Sequence, residues 1–380
     1  LRALFLRFTA LQTALLALVL AFGWQASTVQ FNYGGDWSAL FCAGERFANA
    51  PELPPVYRFR NSFGYDGQVY RMIAHDPLFQ RGLDRYIDSP RVRYRRILIP
   101  GLAHVLALGQ TAWIDAAYHA LILLFTALGA YWSAQWAARA QWPPLTGVLF
   151  LLVPATLVSL DRSTVDGALA ALVVGSVLYS DDRERRPWAL SLVLAAACMC
   201  RETGLILVAA AVVKHFRLSY LLATIPFFAW SAFVQQHTDT DAFGLLRWIP
   251  FQGWVERMWQ PRLTAPGLTG WIVLGFDTAA LGATGLALWM IWRWRQYWLA
   301  EPGLWLQAIP VAFVSYPEIW SEPYAFGRTM TPFYLMLALV GVLRREARWA
   351  APMGLVTLAT LLPLAAQGKG IVRGLWEALR

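Results

Sequence analysis

The apolar positions of this chain come in runs, not in stripes. ALILLFTALGAYW (120–132) and AALGATGLALWMIW (279–292) have neither the 3.6-residue period of a surface helix nor the alternation of a strand. Runs of this kind, repeated along the chain, predict membrane-crossing helices. The first covers about residues 8–26 and is long enough to stay in place as a span rather than act as a cleaved leader. A polar segment follows at about 27–96, and apolar runs resume after it. The pattern predicts an all-α polytopic membrane protein, a single transmembrane domain over 1–380. It has about eleven transmembrane helices and one large first extracytoplasmic loop, 27–96, carrying interfacial helices.

Short polar breaks between the runs assign the sides. Arg139, DDRERR (181–186), KHFR (214–217), RWR (293–295) and RREAR (344–348) are basic clusters of the kind held in the cytoplasm. Between successive clusters the chain must then cross an even number of times. This puts the tips DRSTVD (161–166), RETG (201–204), the stretch at about 235–267, and YPEIWSEPYAFGR (316–328) on the far side, with the long loop. ILIPGLAHVLALG (97–109) breaks this parity if it crosses, and it reads as a re-entrant or interfacial helix. The arms of the RETG hairpin are only about a dozen residues each, against about twenty for a full span. Its tip is therefore expected at membrane depth, inside a protein cavity.

Composition sharpens the picture. Hydrophobic residues make up 58% of the 380, charged residues 14%, and mean hydropathy is +0.44, whereas soluble domains carry roughly a quarter charged residues. The formal charge is +9 and nearly all arginine, since Lys214 and Lys369 are the only lysines. The clusters lie between apolar runs, so the excess charge reads as a topology signal and not as a nucleic-acid surface. Cys42, Cys198 and Cys200 imply no disulfide framework. Walker A, H-E-x-x-H, G-x-S-x-G and dinucleotide fingerprints are absent from the sequence.

Candidate chemistry concentrates on the far side. Asp36 in NYGGDWSALFCAGERF (32–47) and Asp66 in FGYDGQVYRMIAHDP (63–77) lie close to the membrane. The second heads an amphipathic stretch expected along the interface. Either carboxylate could accept a proton from an arriving hydroxyl, or simply cap a helix. RVRYRRI (91–97) offers Arg93, Arg95 and Arg96 to a lipid phosphate, or to anionic headgroups in general. Arg201 and Glu202 are ionisable at membrane depth, where such residues are costly and usually functional. Arg201 is the candidate phosphate ligand, and the alternative is a structural Arg201–Glu202 pair closing the hairpin. Arg162 and Asp166 form a weaker case, and Arg328 either reaches a headgroup or snorkels. HTDTD (237–241) has D-x-D spacing, which leaves a divalent cation possible, but a solvated loop is the simpler reading and no metal ligands are assigned.

YDGQVYRMIAHDP, with an aromatic, Asp, a small residue and a further aromatic, resembles the first outer loop of the GT-C superfamily of membrane glycosyltransferases. The likeness is to glycosylphosphatidylinositol-type mannosyltransferases and bacterial relatives with YDG motifs. GGDWSALFCAGERF is similar to the corresponding loop of bacterial polyprenol-phosphate-mannose-dependent transferases, and RETG and GRTMTP loosely resemble arginine positions in their later spans. The resemblance implies transfer of a sugar from a polyprenyl-phosphate donor to a glycan, lipid or protein acceptor. The enzyme would sit in a bacterial cytoplasmic membrane with its site facing the periplasm or exterior. Asp66 or Asp36 would be general base, and Arg201, Arg328, Arg95 and Arg96 would hold the donor phosphate, supported by Glu202, Arg162 and Asp166. The competing classes are a lipid or solute transporter and a non-catalytic membrane partner of an envelope complex. Convergence of Asp36, Asp66, Arg201 and Arg328 on one cavity would favour an enzyme, and scatter across separate faces a structural reading.

Overall fold

The computed structural model describes residues 8–48, 50–181, 186–239, 248–260, 267–298 and 300–379. It is nearly all helix. Among the described residues the sheet is two short parallel strands in the first loop, with Ala43 opposite Arg58 and Gly44 opposite Phe59.

The first long helix, Ala10–Tyr33, shows how these residues make a membrane element. Thr9 and Gln12 form a reciprocal capping box at its start, and Gly34 ends it in the left-handed conformation at φ 62°. Its buried face is a stripe of mostly small residues, among them Thr13, Ala14, Ala17 and Ala21. Its large apolar side chains point away from the protein: Leu11, Val19 and Phe22 are 61%, 66% and 51% exposed. Small residues inside and large apolar residues outside is the pattern of helices packed in lipid.

Among the described residues, five helices are long and apolar enough to cross a membrane: Ala10–Tyr33, Thr111–Arg139, Leu218–His237, Gly267–Arg293 and Ala347–Ala378. Two more spans result if each sharply bent pair counts as one: Pro144–Leu152 with Pro154–Arg162, bent by 59°, and Pro323–Thr329 with Thr331–Arg344, bent by 62°. The structure thus supports five to seven spans by length and composition. The expected count of about eleven would also need four shorter apolar helices: Asp166–Ser180, Pro187–Cys200, Gly204–His215 and Pro302–Phe313. Proline begins two of these, at Pro187 and Pro302, and the RETG turn separates Pro187–Cys200 from Gly204–His215.

Two expectations, one for the segment after the first loop and one for the loop itself, meet different fates. Leu98–Leu106 is a nine-residue helix, about 14 Å long, too short to cross. His104 Nδ1 ties it to the carbonyl of Ala74 at 2.9 Å. The amphipathic stretch after Asp66 is indeed a helix, Asp66–His75, but every residue from Gly67 to His75 is buried. It is enclosed by protein on all sides. Gly67 explains the closeness: a Cβ there would sit 2.2 Å from the Arg162 carbonyl oxygen and 2.8 Å from that of Phe41.

The helix Asp166–Ser180 is buried on all sides, with only Tyr179 partly open, as expected for the centre of a bundle. It therefore brings Asp166, at its first residue, into the middle of the protein.

The predicted tips meet one another. The tips at 161–166, 201–204 and 316–328 all contact first-loop residues, through Arg162 and Cys42, Glu202 and Arg96, and Arg328 and Asp66. Arg91 donates to the Thr238 carbonyl at 2.6 Å, and Arg257 to that of Trp320 at 3.2 Å, which joins the stretch at 235–267 to the same end. At the other end, Arg139 pairs with Asp181 at 3.3 Å, Arg345 donates to the Ala140 carbonyl, and Arg344 lies over the Trp294 and Trp349 rings. The helix Thr111–Arg139, with 29 residues and about 43 Å long, separates the two ends. Residues 182–185 of DDRERR and positions 240 and 241 of HTDTD lie outside the described residues, as do Arg2 and Arg7, the basic residues ahead of the first apolar run.

Candidate functional site

The candidate site is a chain of alternating charges at the loop end. Arg93 Nη1 is 2.9 Å from Asp66 Oδ1, and Arg328 Nη2 donates to Asp66 Oδ2 at 2.6 Å. The other nitrogen of the same guanidinium, Nη1, reaches Asp166 Oδ2 at 2.8 Å, and Asp166 Oδ1 accepts from Arg201. Arg93–Asp66–Arg328–Asp166–Arg201 thus links the first loop, the short Pro90–Tyr94 helix, the central helix, the RETG tip and the GRTMTP bend. The side chains of Asp166 and Arg201 are 1% and 8% exposed. Such burial is tolerated because each charge is matched.

Beside the chain, Arg96 forms a bidentate pair with Glu202, 3.1 Å from Nε and 2.7 Å from Nη2, and its Nη1 donates to Tyr70 at 3.0 Å. Arg201 and Glu202 therefore do not pair with each other; adjacent in sequence, they face different partners. Arg328 does not snorkel. It is largely covered by Tyr65, whose ring lies 4.7 Å from its guanidinium carbon, and Tyr65 packs edge-on against Tyr324. The two tyrosines of YDGQVY thus serve separate arginines: Tyr65 covers Arg328, and Tyr70 bonds Arg96. The Nε atoms of Arg201 and Arg328 are buried without a hydrogen-bond partner.

Burial would raise the Asp66 carboxyl pKa, but the Arg328 and Arg93 guanidiniums outweigh it and hold the group well below the usual carboxylate range. At rest Asp66 is therefore an ionised, doubly paired carboxylate and a weak base. It gains basicity only as an incoming anion draws the arginines away.

Three sequence candidates lie elsewhere. Asp36 is exposed and caps the turn Trp37–Phe41, accepting from the Ser38 amide at 3.0 Å and the Ser38 hydroxyl at 2.6 Å, which is the capping role. Arg162 does not face Asp166. It pairs with Asp161 at 2.9 Å and donates to Cys42 Sγ at 2.8 Å. Arg95 makes no ion pair among the described residues, and its Nε is buried without a partner. So of the four residues whose convergence was in question, Asp66, Arg201 and Arg328 come together through Asp166, and Asp36 does not.

Several residues that organise this end escaped the sequence reading. Asp161 accepts from Tyr324 and Gln367 as well as pairing with Arg162. Asp115 holds Arg71 through both carboxylate oxygens, 3.0 and 2.9 Å from Nε, and contacts His75 at 3.0 Å. Asp277 pairs with Arg257 at 3.4 Å. Asp115 and Asp277 sit inside long apolar helices, and that placement was the signal that marks them. Asp66 and Tyr70 share one face of their helix. Gln68, Arg71 and Met72 lie on the other, where they help line a separate cavity of about 290 Å³. No group of three or more His, Cys, Asp or Glu side chains that could hold a metal ion occurs among the described residues, and Cys42, Cys198 and Cys200 are free and buried.

No known protein family, no curated protein and no solved structure matches this chain.

Proposed function

We propose that this chain is a membrane glycosyltransferase of the GT-C type, using a polyprenyl-phosphate sugar as donor on the extracytoplasmic face of a bacterial cytoplasmic membrane. The observation that carries the reading is the convergence of one first-loop carboxylate, Asp66, with Arg93, Arg328 and Arg201. Three distant segments supply the arginines, and Arg96 stands alongside. All eleven apolar helical segments would cross or enter the bilayer.

The chemistry follows from the geometry. The donor is a phosphodiester with one negative charge. As the anomeric C–O bond breaks, its electron pair passes to the phosphate oxygen and leaves a polyprenyl phosphate dianion. Arg93, Arg328 and Arg201 are placed to take up that added charge, which counts most in a site closed to water. The acceptor oxygen forms the new bond to the anomeric carbon, and its proton moves to Asp66. The phosphate and Asp66 compete for the same guanidiniums. Donor binding thus loosens the pairs at Asp66 and raises its basicity when a base is needed.

The test is a transfer assay with purified protein across a panel of polyprenyl-phosphate sugars. Asp66→Asn keeps size and hydrogen bonding, while Arg328 keeps Asp166 and Arg93 keeps Asp88 at 2.9 Å. It should fold, bind donor, and lose at least about a hundredfold in transfer rate. Near-native transfer by this variant would remove Asp66 as base.

A transporter is the second reading, favoured by the two bends. The 62° break falls at Met330, two residues after Arg328, and the 59° break precedes the helix that ends at Arg162. Broken helices bearing charge at depth are common where transporters bind solutes. Uptake of a labelled lipid or sugar phosphate into proteoliposomes, with no transfer activity, would favour it.

A further inference from the structure

We propose that the basic end of the molecule carries a binding site for one acidic phospholipid, independent of the chemistry at the loop end. Between the last turns of the Gly267–Arg293 helix and the start of the Ala351–Ala378 helix lies an open crevice of about 570 Å³. Leu286, Trp289 and Met290 line its apolar part. Arg293, Trp294 and Arg348 line its mouth.

Three features fix the ligand class. The volume is that of a small-molecule site, about 300–1,000 Å³, far more than a bare anion fills. The lining is mostly apolar, so the occupant brings hydrocarbon. The mouth is cationic. Arg293 is exposed and has no hydrogen-bond or ion-pair partner among the described residues. Arg348 shares its charge with Glu346 at 2.8 Å but remains 69% exposed, and its guanidinium carbon is 6.0 Å from the Trp294 ring.

The height is right as well. Arg293 ends a helix of 27 residues, about 40 Å long, against a hydrocarbon thickness of about 30 Å. The guanidinium therefore emerges where lipid phosphates lie, among tryptophans of the interfacial kind, Trp289 and Trp292, which are 56% and 58% exposed. A zwitterionic lipid offers no net charge to Arg293. A lipid with a net negative headgroup does, and each arginine near the surface favours it by about 1 kcal/mol, or roughly fivefold in binding.

The experiment compares palmitoyl-oleoyl phosphatidylglycerol with the matching phosphatidylcholine, measured by native mass spectrometry of delipidated protein titrated with each. Wild type should retain one phosphatidylglycerol in clear preference. R293Q/R348Q should lose that preference by about twentyfold or more, R293K should keep most of it, and R85Q in the outer loop should match wild type. Glycerol 3-phosphate at millimolar concentration should not displace the lipid. Equal retention of the two lipids by wild type would overturn the proposal, as would an unchanged preference in R293Q/R348Q. Displacement by glycerol 3-phosphate would reduce the site to one for phosphate alone and overturn it too. All the variants lie on the exposed mouth or the outer loop, so their melting temperatures should match wild type, and a transferase failure would leave the result readable.

Discussion

The two ends of the bundle are both rich in arginine and treat it in opposite ways. At the loop end, Arg96 and Arg201 are buried and Arg328 is mostly so, its side chain 11% exposed, and each faces a carboxylate supplied by a different segment. At the basic end, Arg293 and Arg348 are exposed, while Arg344 lies over tryptophan rings and Arg345 bonds a carbonyl. Burial makes the difference. A guanidinium out of water needs a matched charge, since an uncompensated buried charge costs several kcal/mol. One in water needs nothing and contributes little when paired. The loop end is therefore where a small anion could change the charge balance, and the basic end is where charge faces outward.

The largest effect that could break this comparison is all or none. With the native cysteines buried, single cysteines replacing Arg85 and Arg348, whose side chains are 59% and 69% exposed, report the two sides. The position 85 cysteine should react with an impermeant thiol reagent added to intact cells, and the position 348 cysteine only after permeabilisation. Labelling of both from outside would remove the sidedness on which the transferase reading rests.

Next comes Asp166→Asn. It leaves Arg201 without its carboxylate and takes one of two from Arg328, so it should destabilise by about 3–5 kcal/mol, read as a large drop in melting temperature or loss of folded yield. Asp66→Asn should destabilise far less, because both of its arginines keep a second carboxylate. If the two variants melt together, the chain of pairs is not organised as described.

A smaller effect concerns pH. The folded pKa of Asp66 is depressed, so its stabilising contribution is complete above the unfolded value near 4 and is lost as pH falls through the lower, folded value. Thermal stability should therefore show no step from Asp66 between pH 8 and 5. Below about pH 4 wild type should lose more than Asp66→Asn does. A step near neutrality that Asp66→Asn abolishes would mean the carboxylate is not held ionised.

Asp36→Asn is smaller still. Asparagine caps as well as aspartate, so stability should change by less than about 0.5 kcal/mol and transfer should stay near wild type. A loss of transfer here, with Asp66→Asn active, would move the base to Asp36.

The sequence by itself determined the elements and their sorting into two ends. The runs gave apolar helices of spanning length, five to seven by the structure where about eleven were expected, the basic clusters lie at one end, and the tips at 161–166, 201–204 and 316–328 do come together with the first loop. It also singled out Asp66, Arg201, Arg328 and Asp166, because an ionisable residue beside or within apolar sequence needs a reason to be there. Pairing was a matter for the tertiary structure. Neighbours in the chain suggested Arg201 with Glu202 and Arg162 with Asp166, yet Arg201 takes Asp166, Glu202 takes Arg96 and Arg162 takes Asp161. Adjacent residues at a turn diverge in direction, and which charge lies opposite depends on the packing of helices far apart in sequence. The burial of the Asp66–His75 helix was hidden for the same reason. An amphipathic pattern says that one face is apolar, but only the neighbours decide whether the polar face meets water or, as here, Asp115, Arg96 and Arg328.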